Sequence, residues 1–563
     1  MNSDTTPSVH PDPLCRNDYG ALEPVELGQW TPELGVSVVV PAFGNQRTLD
    51  LCLAGLAAQS YPAELVEVIV VDDGSAPPLQ LPETAPESTR VVANPGPDFG
   101  IAAAVDTGVR AAAHSFVLRI DSDVIPDRLH VEAHMRWHHQ VEYAVVIGKV
   151  AVVDRVPDLE PAAVLKAVAD GNGWDLFEGI DVDREWRAKL IDKYDQLKAL
   201  DSRAYVVANG ASVSFNRAMY TAVGGLDRTM ALGEDTELAY RLAQGGAVFI
   251  PERHAECWHL GVPQMHSRAD EGRRYREPAF ADRIPLMRKL RDQPGGSWEV
   301  PLVEVTVTVG EARYEQVRDT VRSVLGGTLT DVRVSLVGPW ESLAVSTRAP
   351  LDDDRLELRL ISRAFAADAR VRYVQEAPDT PAPAPFGLSL PPGVVCDRDA
   401  LRGLIALADD RRAGRVNLAL SDHEGLAVAV LDRTAALARA MRFAEDGADL
   451  DSVVHAVWGV LWENGDDWFG DDLAALAASP RSMSLASENE RLRRERSRQR
   501  ARIGELETLA EEARRSAADW EVSAGRWERA AGTWQLKAAA LTSPSPRRRG
   551  LRSWISRSLR GRR

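Results

Sequence analysis

From residue 36 the chain runs VSVVVPAFGNQRTLDLCLAGLAAQ and, a few residues on, LVEVIVVDDGS. An apolar run meets a Pro/Gly turn, leucines follow at wider spacing, and a second apolar run stops on two acids. Unbroken Val and Ile suit strands covered on both faces, as in a parallel sheet packed between helices. Leu49, Leu53, Leu56 and Ala57 recur at the helical period, so the prediction is strand, helix, strand. A third run, Phe116, Val117, Leu118 and Ile120, ends on Asp121-Ser122-Asp123. Continued alternation would turn Ser122 away and point both carboxylates at one ion, at the carboxyl edge where open α/β sheets bind ligands.

Taken alone, an acid pair after a strand marks a turn. Its context changes that reading. Residues 209 to 246 read NGASVSFNRAMYTAVGGLDRTMALGEDTELAYRLAQGG, and WHLG follows at 258 to 261. Glu234-Asp235 opens a helix, where acids commonly satisfy free amides and the dipole. With VSVVVPAF, VVDDGS, the DSD pair and GED in this order, the chain resembles the family 2 glycosyltransferases of the GT-A fold over roughly residues 36 to 290.

That resemblance implies an α/β fold whose first domain is a Rossmann-like nucleotide-diphospho-sugar transferase. It implies transfer from a nucleotide-sugar with inversion at the anomeric carbon, with Asp235 as general base and Glu234 as the runner-up. A divalent metal, Mn²⁺ or Mg²⁺, would be held by Asp121, Asp123 and His259. Pro41, Ala42, Phe43, Asp72, Asp73, Asp121 and Ser122 would bind the nucleotide-sugar, with Asp72 or Asp73 accepting from the imide of a uridine-type base. Val105-Asp106 stands where many relatives carry Arg-Asn, so a phosphate-side cation is missing unless Arg110 or Arg119 replaces it. The expected acceptor is a hydroxyl of a cell-surface glycan precursor, free or lipid-linked. The alternatives are a natural product or peptide acceptor, or a glycan-binding scaffold without activity.

Five segments organise the chain. Residues 1–35 are polar and Pro-rich, and 36–300 are the GT-A domain. Within the latter, 162–203 read as a helical insertion whose aromatics Trp174, Phe177, Trp186 and Tyr194 suit a core, and 262–300 as a charged loop with a short helix. Residues 301–475 repeat the opening pattern in degenerate GT-A-like form: VTVTVGEARYEQVRDTVRSVL and VRVSLVGP echo the first strand, helix and strand. Gly338-Pro339 replace Asp72-Asp73, and Leu388-Ser389-Leu390 fall at the place of DSD, so this unit should bind no nucleotide. Residues 484–541 carry apolar positions in alternating steps of three and four, with Trp520, Trp527 and Trp534 spaced by heptads, and predict a self-associating coiled coil. Residues 544–563 form a basic amphipathic tail, with Leu551, Trp554, Ile555 and Leu559 on one face, suited to anionic lipid.

Composition narrows the partners further. A net charge of −16 over 563 residues argues against a general nucleic-acid binder. The four cysteines, Cys15, Cys52, Cys257 and Cys396, show no metal-ligand spacing and no disulfide framework. The expectation is a cytoplasmic homo-oligomer joined through 485–541, with 547–563 as a candidate peripheral contact at the inner face of the cell membrane.

Overall fold

In a computed structural model the described residues are 13–183, 187–291, 298–345, 347–420, 427–445 and 447–470. The coiled coil expected over 484–541 and the amphipathic tail expected over 544–563 lie outside them. Residues 1–473 cluster as one compact unit, and two sheets organise it.

The first sheet comprises β1 (Val36–Ala42), β2 (Val66–Asp72), β3 (Thr89–Ala93), β4 (Phe116–Ile120), β5 (Val124–Pro126), β6 (Ala144–Val153), the short β7 (Val182–Asp183), β8 (Ser212–Asn216) and β9 (Val248–Leu260). Its order is β3-β2-β1-β4-β8-β6-β9-β5, with β7 on β6. The first four strands are parallel, β8 is antiparallel to both its neighbours, and β6 runs parallel to β9. The Val-rich runs form this sheet because helices cover both faces: α1 (Gln46–Ala57), α2 (Ile101–Ala111), α3 (His130–His138), α4 (Pro161–Ala169), α5 (Ala188–Lys193), α6 (Arg217–Ala222) and α7 (Glu234–Gln244). In α1, Leu49, Leu53 and Leu56 are buried as expected but Ala57 faces solvent, while Leu51 and Cys52 are also buried. This helix is therefore packed on more than one side.

The acid pair after β4 departs from the alternation argument. The strand ends at Ile120, and Asp121 to Asp123 form a turn closed by the Val124 amide donating to the Asp121 carbonyl at 3.1 Å. In the insertion, Trp174 and Phe177 pack on fully buried Trp258, with ring centroids 5.4 and 5.3 Å away, which is the core role expected for them. Beyond β9, the charged segment is more regular than expected. It holds α8 (Gln264–Ser267) and a 15-residue helix, α9 (Ala269–Arg283), that carries Pro278 within it.

The second sheet is built from β10 (Val303–Thr308), β11 (Val332–Val337), β12 (Val371–Val374), β13 (Phe386–Ser389), β15 (Arg415–Leu420), β16 (Ala427–Arg433) and β17 (Val460–Asn464), while β14 (Val395–Cys396) pairs with β18 (Phe469–Gly470). Its helices are α10 (Tyr314–Leu325), α11 (Leu356–Ala364), α12 (Ala400–Asp410), α13 (Thr434–Phe443) and α14 (Leu450–Val457). The order β12-β11-β10-β13-β16-β15-β17 repeats the run β3-β2-β1-β4-β8-β6-β9 of the first sheet, with the same parallel and antiparallel joints, while β5 and β7 have no counterpart in it. Register fixes the correspondence. Val36 lies opposite Val66 and Phe116, and Val303 lies opposite Val332 and Phe386. Counting on, Asp72-Asp73 correspond to Gly338-Pro339, as the sequence suggests. The counterpart of Asp121-Ser122-Asp123 is Pro391-Pro392-Gly393, three residues beyond the expected Leu388 to Leu390. The turn amide agrees, since Val394 donates to Pro391 O as Val124 does to Asp121 O. The repeat was set out of step because periodicity in an apolar strand does not mark where the strand stops.

Both sheets are tied together through α7 and the N-terminal segment. Arg439 on α13, 1 % exposed, donates to the carbonyls of Gly246 (2.8 Å), Ala247 (3.0 Å), Leu14 (3.0 Å) and Arg16. Tyr240 of α7 donates its hydroxyl to Pro383 O at 2.6 Å. Arg288 and Arg291, which follow α9, pair with Asp331 at the start of β11.

Candidate active site

Parallel register brings the ends of β1, β2 and β4 to one edge: Ala42 lies opposite Asp72, and Val39 opposite Arg119 two residues before the acid turn. Asp72 is buried among its own loop's donors. Its Oδ1 accepts from Ser75 N (2.8 Å) and its Oδ2 from Leu79 N (3.1 Å). Burial works to raise its pKa, but hydrogen bonds from the Ser75 hydroxyl and the amides of Ser75, Leu79 and Gly74 outweigh that and lower it. Asp73 accepts from Asn94 Nδ2 (2.6 Å) and Gly100 N (2.7 Å), and so latches the 94–100 loop. That loop carries Phe99, 66 % exposed, and Phe43 at the end of β1 is 68 % exposed, so two bare aromatic faces flank this edge.

After β4, one guanidinium organises the acids. Arg119, only 4 % exposed, reaches Asp121 Oδ1 (3.3 and 3.4 Å) and Glu234 Oε1 (3.1 Å). Gly210 covers it so closely that a Cβ there would sit 2.2 Å from Arg119 Nη2. Burial works against the charge of Arg119, yet Asp121, Glu234 and Asp235 outweigh it and hold the pKa above its ordinary value. Arg119 thus joins the turn after β4 to the start of α7, and no periodicity argument singles it out.

Asp123 meets His259. The two side chains approach to 3.6 Å between Oδ1 and Nε2. His259 Nδ1 lies 3.0 Å from Gly261 O, and a carbonyl can only accept, so Nδ1 carries a proton; with the ring neutral, Nε2 would present its lone pair toward the carboxylate. Burial, the largest cause, pushes the Asp123 carboxyl up; His259 pulls it down and Asp121 adds to the rise. Two facing lone-pair donors beside a second carboxylate are a donor set that fits a divalent cation. Among the described residues, no group of three or more His, Cys, Asp or Glu side chains is already gathered to metal-holding distance. Asp121, turned toward Arg119, is the member out of place.

At the opening of α7, Glu234 and Asp235 part ways. Glu234 is 5 % exposed and bound to Arg119; burial, then the charge of Asp235, pushes its carboxyl up to about 7 against the pull of Arg119. Asp235 is more open. Its Oδ2 accepts from Gly210 N (3.1 Å), and its Oδ1 from Thr236 N (2.6 Å) and Thr236 Oγ1 (3.2 Å). The phosphate-side cation sought in Arg110 is engaged elsewhere. Arg110, Tyr220 and Arg228 all donate to buried Asp106, and Arg228 also reaches Asn94. Asp106 is therefore a structural anchor for this loop.

Behind β8 lies a polar feature that the sequence reading passed over. His130, His134 and His138 are fully or almost fully buried on one face of α3 and alternate with two serines of β8. His130 Nδ1 meets Glu256 O (2.9 Å) and its Nε2 meets Ser212 Oγ (3.1 Å); Ser212 Oγ meets His134 Nε2 (3.0 Å). His134 Nδ1 then meets Ser214 Oγ (2.9 Å), which meets His138 Nε2 (2.7 Å). The carbonyl fixes every proton along the row. His130 donates from Nδ1, so Ser212 donates to its Nε2, His134 donates to Ser212, Ser214 donates to His134, and His138 donates to Ser214. His138 Nδ1 is left as a buried atom without a hydrogen-bond partner among the described residues.

Residues 37–200, which hold β1 to β7 and the acid turn after β4, match Glycosyl transferase family 2; Gly210, Glu234, Asp235 and His259 lie beyond the matched residues. The chain carries a glycosyl transferase family 2 domain. It is 25 % identical over 363 residues to the chondroitin synthase of Pasteurella multocida (strain Pm70), covering 61 % of this chain and 36 % of that protein. It is 23 % identical over 391 residues to the chondroitin synthase of Escherichia coli, covering 66 % and 55 %. The chain thus spans between about a third and just over half the length of these curated relatives. Among solved structures it is similar to the mannosyltransferase PcManGT of Pyrobaculum calidifontis in complex with GDP-Man and Mn2+, at 18 % identity and a TM-score of 0.29, covering 47 % of this chain and 66 % of that one. Among the described residues no helix is long and apolar enough to cross a membrane.

Proposed function

We propose that this protein is an inverting glycosyltransferase that moves a sugar from a nucleotide-sugar, of the uridine diphosphate class, to a hydroxyl of a glycan precursor. The observation that carries the reading is the Arg119 bridge. A single buried guanidinium holds Asp121, in the acid turn after β4, and Glu234, beside Asp235, at one edge of the sheet.

In this reading the nucleoside lies over the ends of β1 and β2, against Pro41, Ala42 and Phe43. Asp73 receives the base's imide, because each of its oxygens accepts one protein donor and keeps a further lone pair, whereas Asp72 is surrounded by donors of its own loop. Asp121, Asp123 and His259 would hold a divalent cation, which when bound neutralises charge growing on the leaving diphosphate. Asp235 takes the acceptor's proton. Its carboxylate is held by the Gly210 and Thr236 amides, so it is aimed without being used up. The acceptor oxygen forms a bond to the anomeric carbon as the bond from that carbon to the diphosphate oxygen breaks. The electron pair leaves with the nucleoside diphosphate, and attack from the opposite face inverts the centre. Glu234, locked on Arg119, serves to position that residue.

Thermal unfolding of the full chain against a panel of nucleotide-sugars, with and without Mn²⁺, tests the reading. The expected result is stabilisation by a UDP-sugar that depends on the metal. A panel without any stabilising member overturns it.

A further inference from the structure

Beside the Asn209-Gly210 segment that holds Asp235, the first sheet is interrupted. Between Gly148 and Lys149 the register of β6 against β9 jumps from Glu252 to Glu256, which leaves Arg253, His254 and Ala255 without partners in β6. Bulges of this kind re-aim side chains and open space next to active sites. Here the space is real: a cavity of about 250 Å³ opens between the bulge, α5 and the residues leading into β8. At about 30 Å³ per water this is room for roughly eight waters, which suits one sugar ring and falls below the ~300 Å³ where drug-sized pockets begin.

The lining has the two kinds of surface that a pyranose presents. Ile191, Val207 and Pro251 give an apolar wall for the C–H face of a ring, and Lys149, Arg187 and Asn209 contribute N–H groups. Asn209 is the informative member. It is 5 % exposed, its Oδ1 accepts from Ser212 N at 3.2 Å, and its Nδ2 donates to nothing among the described residues. That nitrogen is not among the buried atoms left without a partner, so it opens onto solvent and is available to donate to an occupant of the cavity. Lys149 spends one donor on Glu256 (2.7 Å) and keeps the others. Asn209 also lines the small void that reaches Arg119 and Asp235, and the next residue donates its amide to Asp235. The cavity therefore shares Asn209 with the void that Asp235 lines, on the side of the sheet order away from β1 and β2.

We propose that this cavity is the seat of the acceptor's terminal sugar, a single pyranose unit held by Asn209 and Lys149 so that one of its hydroxyls faces Asp235. The inference rests on the glycosyl-transfer reading above. The hydroxyl oxygen bonds to the anomeric carbon, its proton passes to Asp235, and the diphosphate departs with the electron pair of the broken bond.

Hydrolysis of the donor by water needs no acceptor sugar and so separates the two claims. The experiment measures nucleotide release by the full chain from a UDP-sugar with Mn²⁺, alone and with a panel of methyl glycosides of hexoses, N-acetylhexosamines and hexuronates. For the wild type, at least one glycoside is expected to raise release and appear in product. Ala188→Trp, which fills the cavity from α5, is expected to keep donor hydrolysis and donor-induced thermal stabilisation while losing transfer to that glycoside at least tenfold. Asn209→Ala is expected to raise the acceptor KM about tenfold, the size of one lost hydrogen bond. Wild-type transfer by Ala188→Trp overturns the proposal, as does loss of hydrolysis together with transfer in a folded variant, or a wild type that hydrolyses donor but responds to no glycoside. A wild type that neither hydrolyses nor transfers any donor overturns the glycosyl-transfer reading itself, and the cavity assignment with it.

Discussion

Position 119 would take a valine by the pattern of its strand, yet an arginine is buried there. Its neighbours explain the exception: Asp121 on one side and Glu234 on the other need a fixed positive charge, and Gly210 leaves room for the guanidinium plane. Removing one partner of a buried charged group costs about 3–5 kcal/mol, so Arg119→Met is expected to lower stability by that order in denaturant unfolding. Asp235→Asn keeps the shape but cannot take a proton. Transfer should fall about 100-fold or more with the donor-induced thermal shift unchanged, and a variant with lost donor binding and intact turnover would contradict the role. The histidine row supplies a pH prediction. Burial lowers the pKa of His130 to about 4 and of His138 to about 3, and burial, with the neighbouring imidazoles of His130 and His138 adding to it, lowers that of His134 well below its ordinary value. All three are neutral in the folded protein at pH 7. Below about 6.5 the unfolded chain binds protons that the folded one refuses, so stability falls as pH falls through this window, by up to about 1.4 kcal/mol per pH unit for each histidine. His138→Gln should flatten the pH dependence of unfolding between 6.5 and 4 by close to one proton; an unchanged slope would show that His138 does not set it.

Among elements, α7 carries the most tension between what could be read in advance and what could not. Its start and its acids follow from GED, and its buried stripe through Leu238 and Leu242 follows from spacing. Nothing local says that Tyr240 bonds to Pro383, more than a hundred residues away, or that the turn after the helix is gripped by Arg439. Such contacts depend on two sheets meeting, which no window of sequence contains. The same holds at the site. The acid pairs and His259 were legible as residue types in order, while the partition of Asp72 and Asp73, the burial of Glu234 and the turn at Asp121 depend on which backbone amides lie nearby. Since α7 holds Asp235 at one end and is bolted to the second sheet further along, loosening the bolt should be felt at Asp235. Tyr240→Phe leaves Pro383 O without its buried donor, so about 1–3 kcal/mol of stability is expected to be lost. Transfer should fall further than donor binding does. Equal losses in both would mean that α7 is supported only as part of the core.

At the level of the molecule, the first and second sheets share strand order and pairing sense but not chemistry. The carboxylates of the first are replaced in the second by Gly338-Pro339 and Pro391-Pro392-Gly393. Asp123→Ala in the full chain should therefore remove all metal-dependent stabilisation by nucleotide, with none left to a second site. Residual stabilisation of that kind would assign binding to the second sheet. The shared strand order has one more consequence. The protein contains its own blank. Whatever both copies keep, such as the amide that closes the turn from Val124 and again from Val394, belongs to the architecture. Whatever only one sheet carries is not demanded by the shared strand order, and by register the arginine at 119 corresponds to a plain serine at 389 in the other sheet. Comparing the copies position by position therefore separates scaffold from chemistry within a single polypeptide, without recourse to any other sequence.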